Sequence, residues 1–173
     1  MDAQRPDVIT AGQFIELLRL AILGVLVLGI VGTVIELLLL EHFETDKPLQ
    51  FLPLILIAAG SAAIIWHAAR RDTASLNTLL VVMALFVLSS FVGFAAHFAG
   101  SAEFAFEQNP EIGTWELLEK VIHAKAPPLL APGMMMQLGL LGLGYVYSDF
   151  RYRARVLPVL RALGIPLPKE EVT

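Results

Sequence analysis

The chain has 173 residues and a formal net charge of −4; 57% of its residues are hydrophobic and 16% are charged. Soluble globular proteins have about 45–50% apolar and about 25% charged residues, so this composition and a mean hydropathy of +0.72 argue against a water-soluble enzyme or a disordered chain and favour a membrane protein. The negative charge gives no basic surface for nucleic acid, and the absence of cysteine excludes disulfides, thiolate metal sites and cysteine nucleophiles.

Four continuous apolar runs are long enough to cross the hydrocarbon core of a membrane, which requires about 20 helical residues. The predicted spans are residues 20–40, 51–69, 76–99 and 129–147. Because the runs are continuous rather than alternating, they predict helices. We therefore expect an all-α, polytopic membrane protein with a four-transmembrane-helix bundle, formed by residues 1–173 as a single membrane domain.

The first span is too long for the apolar region of a signal peptide, and no small-residue cleavage site follows it, so we expect it to remain as an anchor. It carries one carboxyl group, that of Glu36, on a helical stripe with Gly29 and Thr33. The loop over 41–50 is short and contains Pro48. The first two spans should therefore be antiparallel neighbours.

The second and third spans each carry one histidine. His67 lies near the end of the second span, and His97 lies near the end of the third span on a stripe of small residues. The turn between these spans is very short. Ser75 or Asn77 is the predicted N-cap of the third helix, because either side chain can accept a hydrogen bond from an unpaired backbone N–H.

The connection from Gly100 to Pro128 is long for a helical bundle, and such connections usually carry structure or function. Within it, Thr114 is the predicted N-cap of an amphipathic helix over about 114–125. We expect an extra surface helix in the loop between helices 3 and 4, with Trp115 at the headgroup level. This helix either lies flat on the outer leaflet or covers the mouth of the bundle as a lid.

The fourth span carries Gln137 and is followed by a tail over 148–173, in which arginines alternate with tyrosine and small residues. Such side chains attract anionic headgroups at the cytoplasmic interface. We expect the tail to continue as an interfacial helix with Pro158 near its start. The predicted lipid-interface anchors are Trp115, Tyr147, Arg151, Tyr152, Arg153 and Arg155.

The distribution of lysine and arginine predicts the orientation of the four spans, since cytoplasmic segments carry more of both residues. The side with both termini and the 70–75 turn has nine of them, and the other side has three: Lys47, Lys120 and Lys125. Both termini are therefore predicted to be cytoplasmic. The expected location is the plasma membrane, here the bacterial inner membrane, with the long connection in the periplasm.

Each predicted span has its polar residue on the same stripe as small residues, which lets helix backbones approach closely. Polar side chains should face the bundle because lipid does not satisfy them. The predicted intramembrane polar packing residues are Glu36, His67, His97 and Gln137. By depth, most of them lie toward the outer mouth, next to His42 in the adjacent loop, whereas His67 is alone at the cytoplasmic end.

The outer mouth has two interpretations. In the first, its polar residues pack across the bundle or are solvated. In the second, they bind a metal ion or haem, because imidazole suits zinc, copper and iron, and thioether suits Cu(I). The candidate metal ligands are His97, His123, Glu36, Glu119 and His42, with Met134, Met135 and Met136 as possible soft ligands. No HExxH or paired ExxH motif occurs, so the cofactor stays undefined.

Three functions follow from these features. The first is an accessory or structural subunit that packs against a larger membrane assembly. The second is a metal- or haem-binding membrane protein with its site at the outer mouth, acting in redox chemistry or metal handling. The third is an oligomeric small transporter or channel. The expected partners are the lipid bilayer and a membrane protein or further copies of the chain. No nucleophile, phosphate-binding or dinucleotide motif predicts an enzyme.

Overall fold

A computed structural model of the chain describes residues 9–39, 51–123 and 130–166. Within these ranges the regular structure is entirely helical and contains no strand, which confirms the predicted all-α class. The helices are α1 (Ala11–Leu39), α2 (Phe51–Arg70), α3 (Thr73–Gln108), α4 (Thr114–Ile122), α5 (Leu130–Tyr147) and α6 (Phe150–Ala162).

Three of these helices, α1, α2 and α3, are long and apolar enough to cross a membrane. This finding is compatible with the predicted membrane protein. The helix at the predicted fourth span, α5, has 18 residues and includes Pro132, Gln137 and several glycines. These residues interrupt the apolar run of α5, which carries no formal charge.

Four helices enclose one hydrophobic core. α3 packs against both α2 and α5, and α1 also packs against α2 and α5. The core includes Leu26, Ile30, Ile57, Leu79, Met83, Phe86, Leu138 and Val146. α5 therefore belongs to the same helical layer as the three long apolar helices.

Glycines bring α5 very close to α3. A Cβ atom added at Gly139 would lie 2.7 Å from Val87 Cγ2 and 2.8 Å from the Met83 carbonyl oxygen. One added at Gly142 would collide with the Met83 side chain. Since backbone atoms of α3 occupy the space beside Gly139, any larger residue there must push the two helices apart.

Two helices extend beyond the predicted apolar spans. α1 begins at Ala11 rather than at residue 20, because the charged side chain of Arg19 is buried and does not end the helix. α3 continues past residue 99 to Gln108. It ends there because Pro110 disfavours a helical conformation at Asn109, whose φ of −145° and ψ of 94° are extended.

The predicted helix starts need correction at α3, α4 and α6. The N-cap of α3 is Asp72, whose carboxylate accepts from the Ser75 N–H at 2.8 Å; it is neither Ser75 nor Asn77. Thr114 is the first residue of α4, and Gly113 is its N-cap. α6 begins at Phe150 because Asp149 caps it, so Pro158 lies inside the helix rather than near its start.

The α4 helix packs on the extended end of α3. Ala105, Ile112 and Val121 are buried there, and Lys120 Nζ donates to Gln108 Oε1 at 2.9 Å. Trp115 is 78% exposed on the outer flank of α4. With 36 residues, α3 is about 54 Å long, so it exceeds a hydrocarbon core of about 30 Å and supports α4 on its projecting end.

Candidate functional site

Most buried charge in the described chain lies at one end of the bundle, where the α2–α3 and α5–α6 turns meet the first half of α1. Arg19 is 8% exposed and Asp149 is 3% exposed. Side chains from α1, α2, α3, α5 and α6 meet around them. We call this group the Asp149 cluster; it consists of Arg19, His67, Ser75, Tyr145, Asp149 and Arg151.

The Asp149 carboxylate lies at the centre of the cluster and binds two arginines. Its Oδ2 atom accepts from Arg19 Nη2 at 2.8 Å and from Arg151 Nη2 at 2.9 Å. Its Oδ1 atom accepts from the Nε and the backbone N–H of Arg151, both at 2.9 Å. Each carboxylate oxygen thus has two donors, which uses the full acceptor capacity of the group.

Aromatic and hydroxyl groups connect this ion pair to α2 and α3. The Arg19 guanidinium carbon lies 4.7 Å from the centre of the Tyr145 ring, which is a cation–π geometry. The Tyr145 ring packs edge-on against His67 at 5.7 Å. His67 Nδ1 in turn lies 3.0 Å from Ser75 Oγ, so the buried histidine has a polar partner on the next helix.

The α2–α3 turn makes the last connection of the cluster. Arg71 has a φ of 49°, a left-handed conformation that residues with a side chain rarely adopt. Its carbonyl oxygen accepts a short hydrogen bond from Arg151 Nη1. Arg151 therefore joins the α5–α6 turn to the α2–α3 turn.

The charges at this end strongly favour ionised Asp149. Burial alone disfavours the charged carboxylate, but hydrogen bonds from Arg151 and Arg19 outweigh that cost and hold the pKa of Asp149 well below its usual value of 3.8. The same bonds raise the pKa of Arg151. Because all four acceptor positions of Asp149 are used within the chain, the carboxylate joins Arg19 of α1 to Arg151 of α6.

Comparison with known proteins gives no relative. No protein-family model, no curated protein and no solved structure matches this chain.

The candidate ligands of the outer mouth are exposed where they are described. Glu36, His97, Glu119 and His123 all have exposed side chains. His123 Nδ1 lies 2.9 Å from the Glu119 carbonyl oxygen within α4. Among the described residues no three His, Asp or Glu side chains form a group that could hold a metal ion. His42 lies outside the described residues, and the metal or haem site stays a prediction.

The remaining predicted residues fall into different environments. Met135 is a core residue, and Met134 and Met136 are partly buried. Of the polar packing residues, His67 is buried, whereas Glu36, His97 and Gln137 are exposed in the single chain. The prediction placed His67 by itself at its end of the bundle. In the structure, Ser75 and Tyr145 contact it.

The predicted interface anchors also lie in different environments. Trp115 and Tyr147 are exposed, and Tyr147 packs edge-on against Tyr152 at 6.4 Å. The Arg151 guanidinium binds Asp149 and the Arg71 carbonyl, so it is occupied within the chain. Arg155 Nη1 lies 3.4 Å from Asn77 Oδ1.

Sequence analysis missed Arg19, Ser75, Tyr145 and Asp149 as members of one cluster. One signal was available: Arg19 and Asp149 carry opposite charges at the same predicted end of the first and fourth spans. A pairing across 130 residues nevertheless depends on which spans are neighbours. That arrangement is a property of the packed bundle and not of either segment.

Proposed function

We propose that this protein is a four-span integral membrane protein that serves as an accessory or structural subunit of a larger membrane assembly. The observation that carries the proposal is an outward, almost entirely apolar groove between α1 and α5 whose lining includes the exposed residue Gln137. Lipid has no hydrogen-bonding group to offer an amide at this depth. A helix from another subunit does.

The proposal takes α5 as the fourth span. Its length of 18 residues corresponds to about 27 Å of helix, close to the thickness of a hydrocarbon core. Met135, Leu138 and Val146 of α5 belong to the same core as the three long apolar helices. The close approach to α3 at Gly139 and Gly142 is typical of helices packed within a membrane.

An even number of spans places both termini on one side. The excess of arginine and lysine on that side supports a cytoplasmic location for both termini, for the Asp149 cluster and for α6. The α3–α4 connection then lies on the opposite, outer side, consistent with insertion in a bacterial inner membrane.

This topology predicts the labelling of single cysteines, for which the cysteine-free chain gives a clean background. Glu111→Cys lies between α3 and α4, and Ala162→Cys lies at the end of α6; both positions are exposed. A membrane-impermeant maleimide applied to intact cells should label Glu111→Cys and leave Ala162→Cys unlabelled until the cells are opened. The reverse pattern would contradict the topology.

The α1–α5 groove is lined by Ile22, Gln137, Leu140, Leu141 and Gly144. Its surface is almost entirely apolar, and Gln137, the one lining residue with a polar side chain, is exposed. Gly144 adds no side chain, and a Cβ atom built there meets no atom within 4 Å. The groove therefore gives an incoming helix room for close backbone approach beside a hydrogen-bonding group.

Glu36 extends the same flank of α1. Gly29 of α1 faces Leu138 of α5, and Glu36 lies seven residues further along the chain, close to two helical turns. Its side chain is exposed as well. A partner suited to this flank is an apolar helix that offers hydrogen-bonding side chains near the depths of Gln137 and Glu36.

A photo-crosslinking residue can test the proposed partner. We expect one placed at Leu140 in the groove to form a discrete protein adduct in native membranes. Leu88, on the outward surface of α3, is the matched control, because its exposed fraction of 61% is close to the 55% of Leu140. A photo-crosslinking residue placed at Leu88 should form lipid adducts only. The protein adduct should weaken when Gln137→Leu removes the amide.

The mass of the adduct distinguishes the accessory-subunit function from the oligomeric alternative. An added mass other than that of the chain supports the accessory-subunit function, and doubling of the mass supports the oligomeric alternative. Lipid adducts alone at Leu140, or adducts that Gln137→Leu leaves unchanged, contradict the role proposed for the groove.

A further inference from the structure

The α4 helix has two apolar faces, and only one of them is covered by the rest of the described chain. Val121 is fully buried, and Leu117, one turn earlier, is half-buried. Trp115, Leu118 and Ile122 share a second face at spacings of i, i+3 and i+7, and their side chains are 78%, 38% and 51% exposed. We call this second surface the Trp115 face.

The height of α4 above the membrane follows from two contacts of α3. A Cβ atom built at Gly93 would lie 3.1 Å from Cγ of Pro132, which belongs to the first turn of α5, so Gly93 is level with the outer end of α5. Lys120, in the last turn of α4, binds Gln108. Gln108 follows Gly93 by fifteen residues, which is about 22 Å of helix.

This height exceeds the reach of the lipid. The polar headgroups add only about 5–8 Å to each side of the hydrocarbon core, and a typical helix tilt of about 20° shortens the 22 Å by only about 1 Å. If α5 ends at the outer edge of the hydrocarbon, the Trp115 face therefore stands in water. A group of exposed apolar side chains in that position marks a surface for protein interaction.

The charges around the Trp115 face are negative. Glu119 lies one turn after Trp115 on the same side of α4, and Glu116 lies on the adjoining flank. Both are exposed, and neither forms an ion pair with a described residue. Across the outer connections 41–50 and 100–128, the sequence has eight acidic residues and three lysines. The resulting field repels anionic headgroups and attracts a cationic protein segment.

We propose that the Trp115 face docks a basic, amphipathic segment of a water-soluble protein on the outer side of the membrane. Apolar side chains of that segment cover Trp115 and Ile122, and its lysines or arginines pair with Glu116 and Glu119. This surface is separate from the α1–α5 groove. It takes from the proposed function only that α5 is a span whose first turn lies at the outer edge of the hydrocarbon.

The fluorescence of Trp115 tests whether water or lipid surrounds the face. The chain has two tryptophans, so Trp66→Phe leaves Trp115 as the single emitter. In phosphatidylcholine nanodiscs, acrylamide in the aqueous phase should quench the Trp115 emission, and brominated acyl chains should leave it unchanged. Strong quenching by the brominated lipid would place the face in the membrane and overturn the proposal.

The binding probe is a helical peptide with leucine on one face and lysine on the other. At about 0.15 M salt, which screens charges more than about 8 Å apart, the peptide should shift the Trp115 emission to shorter wavelength and reach saturation. Empty nanodiscs give the background for its binding to lipid. The same peptide with glutamate in place of lysine should not bind to the protein.

Variants of the chain test which residues hold the peptide, with a labelled peptide as the readout. Trp115→Ala should raise the dissociation constant about tenfold, because an aromatic anchor carries much of the energy of an interface; its exposed side chain leaves the core undisturbed. Glu116→Gln combined with Glu119→Gln should raise it as well and weaken its dependence on salt.

Glu103→Gln combined with Glu107→Gln is the matched control. These two glutamates are exposed on the side of α3 that turns away from the buried Ala105, so their loss should change the dissociation constant less than about twofold. Equal affinity of the wild-type and Trp115→Ala chains overturns the proposal, as do equal losses from the two glutamate pairs. Dimers that disappear in Trp115→Ala overturn it too, because a second copy then covers the face. Nanodiscs leave both sides of the protein open, so these results are independent of the cysteine labelling and of the crosslink at Leu140.

Discussion

Asp149→Asn is expected to lower the free energy of unfolding by about 3 kcal/mol, because removing one partner of a buried ion pair leaves the other charge uncompensated. Asparagine has nearly the same shape and is an equally good N-cap, so it keeps the cap of α6 while it removes the charge. Arg19 and Arg151 would then face each other without an anion. Unfolding in mixed detergent micelles, followed by circular dichroism, measures the difference.

The matched control is Asp72→Asn. Asp72 also caps a helix at the same end of the bundle, but it is exposed and forms no ion pair with an arginine in the described structure. We expect no measurable change in stability for this variant. Equal losses from both substitutions would mean that a negative charge at a helix N-terminus, and not the Arg19–Asp149–Arg151 ion pair, accounts for the effect.

The wild-type chain and the Asp149→Asn variant should also differ in how their stability responds to acid. The pKa of Asp149 is lowered in the folded state, so its contribution is fully present above the unfolded value near 3.8 and is lost as the pH falls toward the lower folded pKa. The stability gap between the wild-type chain and Asp149→Asn should stay constant from pH 7 to about pH 5 and narrow below about pH 4. A gap that closes between pH 7 and pH 5 would contradict this assignment.

The second large effect is expected from Gly139→Ala. A methyl group there would lie 2.8 Å from the Met83 carbonyl oxygen and 2.9 Å from the Val87 backbone nitrogen. Since backbone atoms cannot turn aside as a flexible side chain can, α3 and α5 must separate. We expect a loss of about 2–3 kcal/mol in the free energy of unfolding, the upper part of the usual range for overpacking.

Gly144→Ala provides the comparison on the same helix. No atom lies within 4 Å of a Cβ atom added at Gly144, and alanine favours helix over glycine by up to about 1 kcal/mol. Its stability should be unchanged or slightly higher. If both variants lose the same stability, helix propensity rather than contact with α3 limits α5.

The helices could be predicted because long apolar runs leave few other structures for a chain that avoids water. The ends of the helices were harder to predict. Hydropathy ended the third span at residue 99, whereas α3 continues through Glu103 to Gln108, because a helix outside the hydrocarbon tolerates charged residues. The stop at Asn109 follows from local proline chemistry, which hydropathy does not report.

The candidate site shows a different limit of prediction from sequence, which concerns the buried face of a helix. Thr33 and Glu36 were assigned to one inward stripe, yet Thr33 is buried and Glu36 is exposed. The buried stripe of α1 runs through Arg19, Leu26, Ile30, Thr33 and Leu37, which is set by where α2 and α5 pack against it. A single helix does not reveal the directions of its neighbours, so the sequence pattern gave too wide an inward face.

The distance in sequence between Arg19 and Asp149 has a consequence for biosynthesis. The ribosome completes α1, α2 and α3 before it reaches Asp149, 130 residues after Arg19. At about 5–20 residues per second, the Arg19 guanidinium waits roughly ten seconds for its counter-ion. A truncated chain that lacks the α5–α6 turn keeps this cation unneutralised beside the membrane. The Arg19–Asp149 ion pair therefore distinguishes a finished chain from an incomplete one.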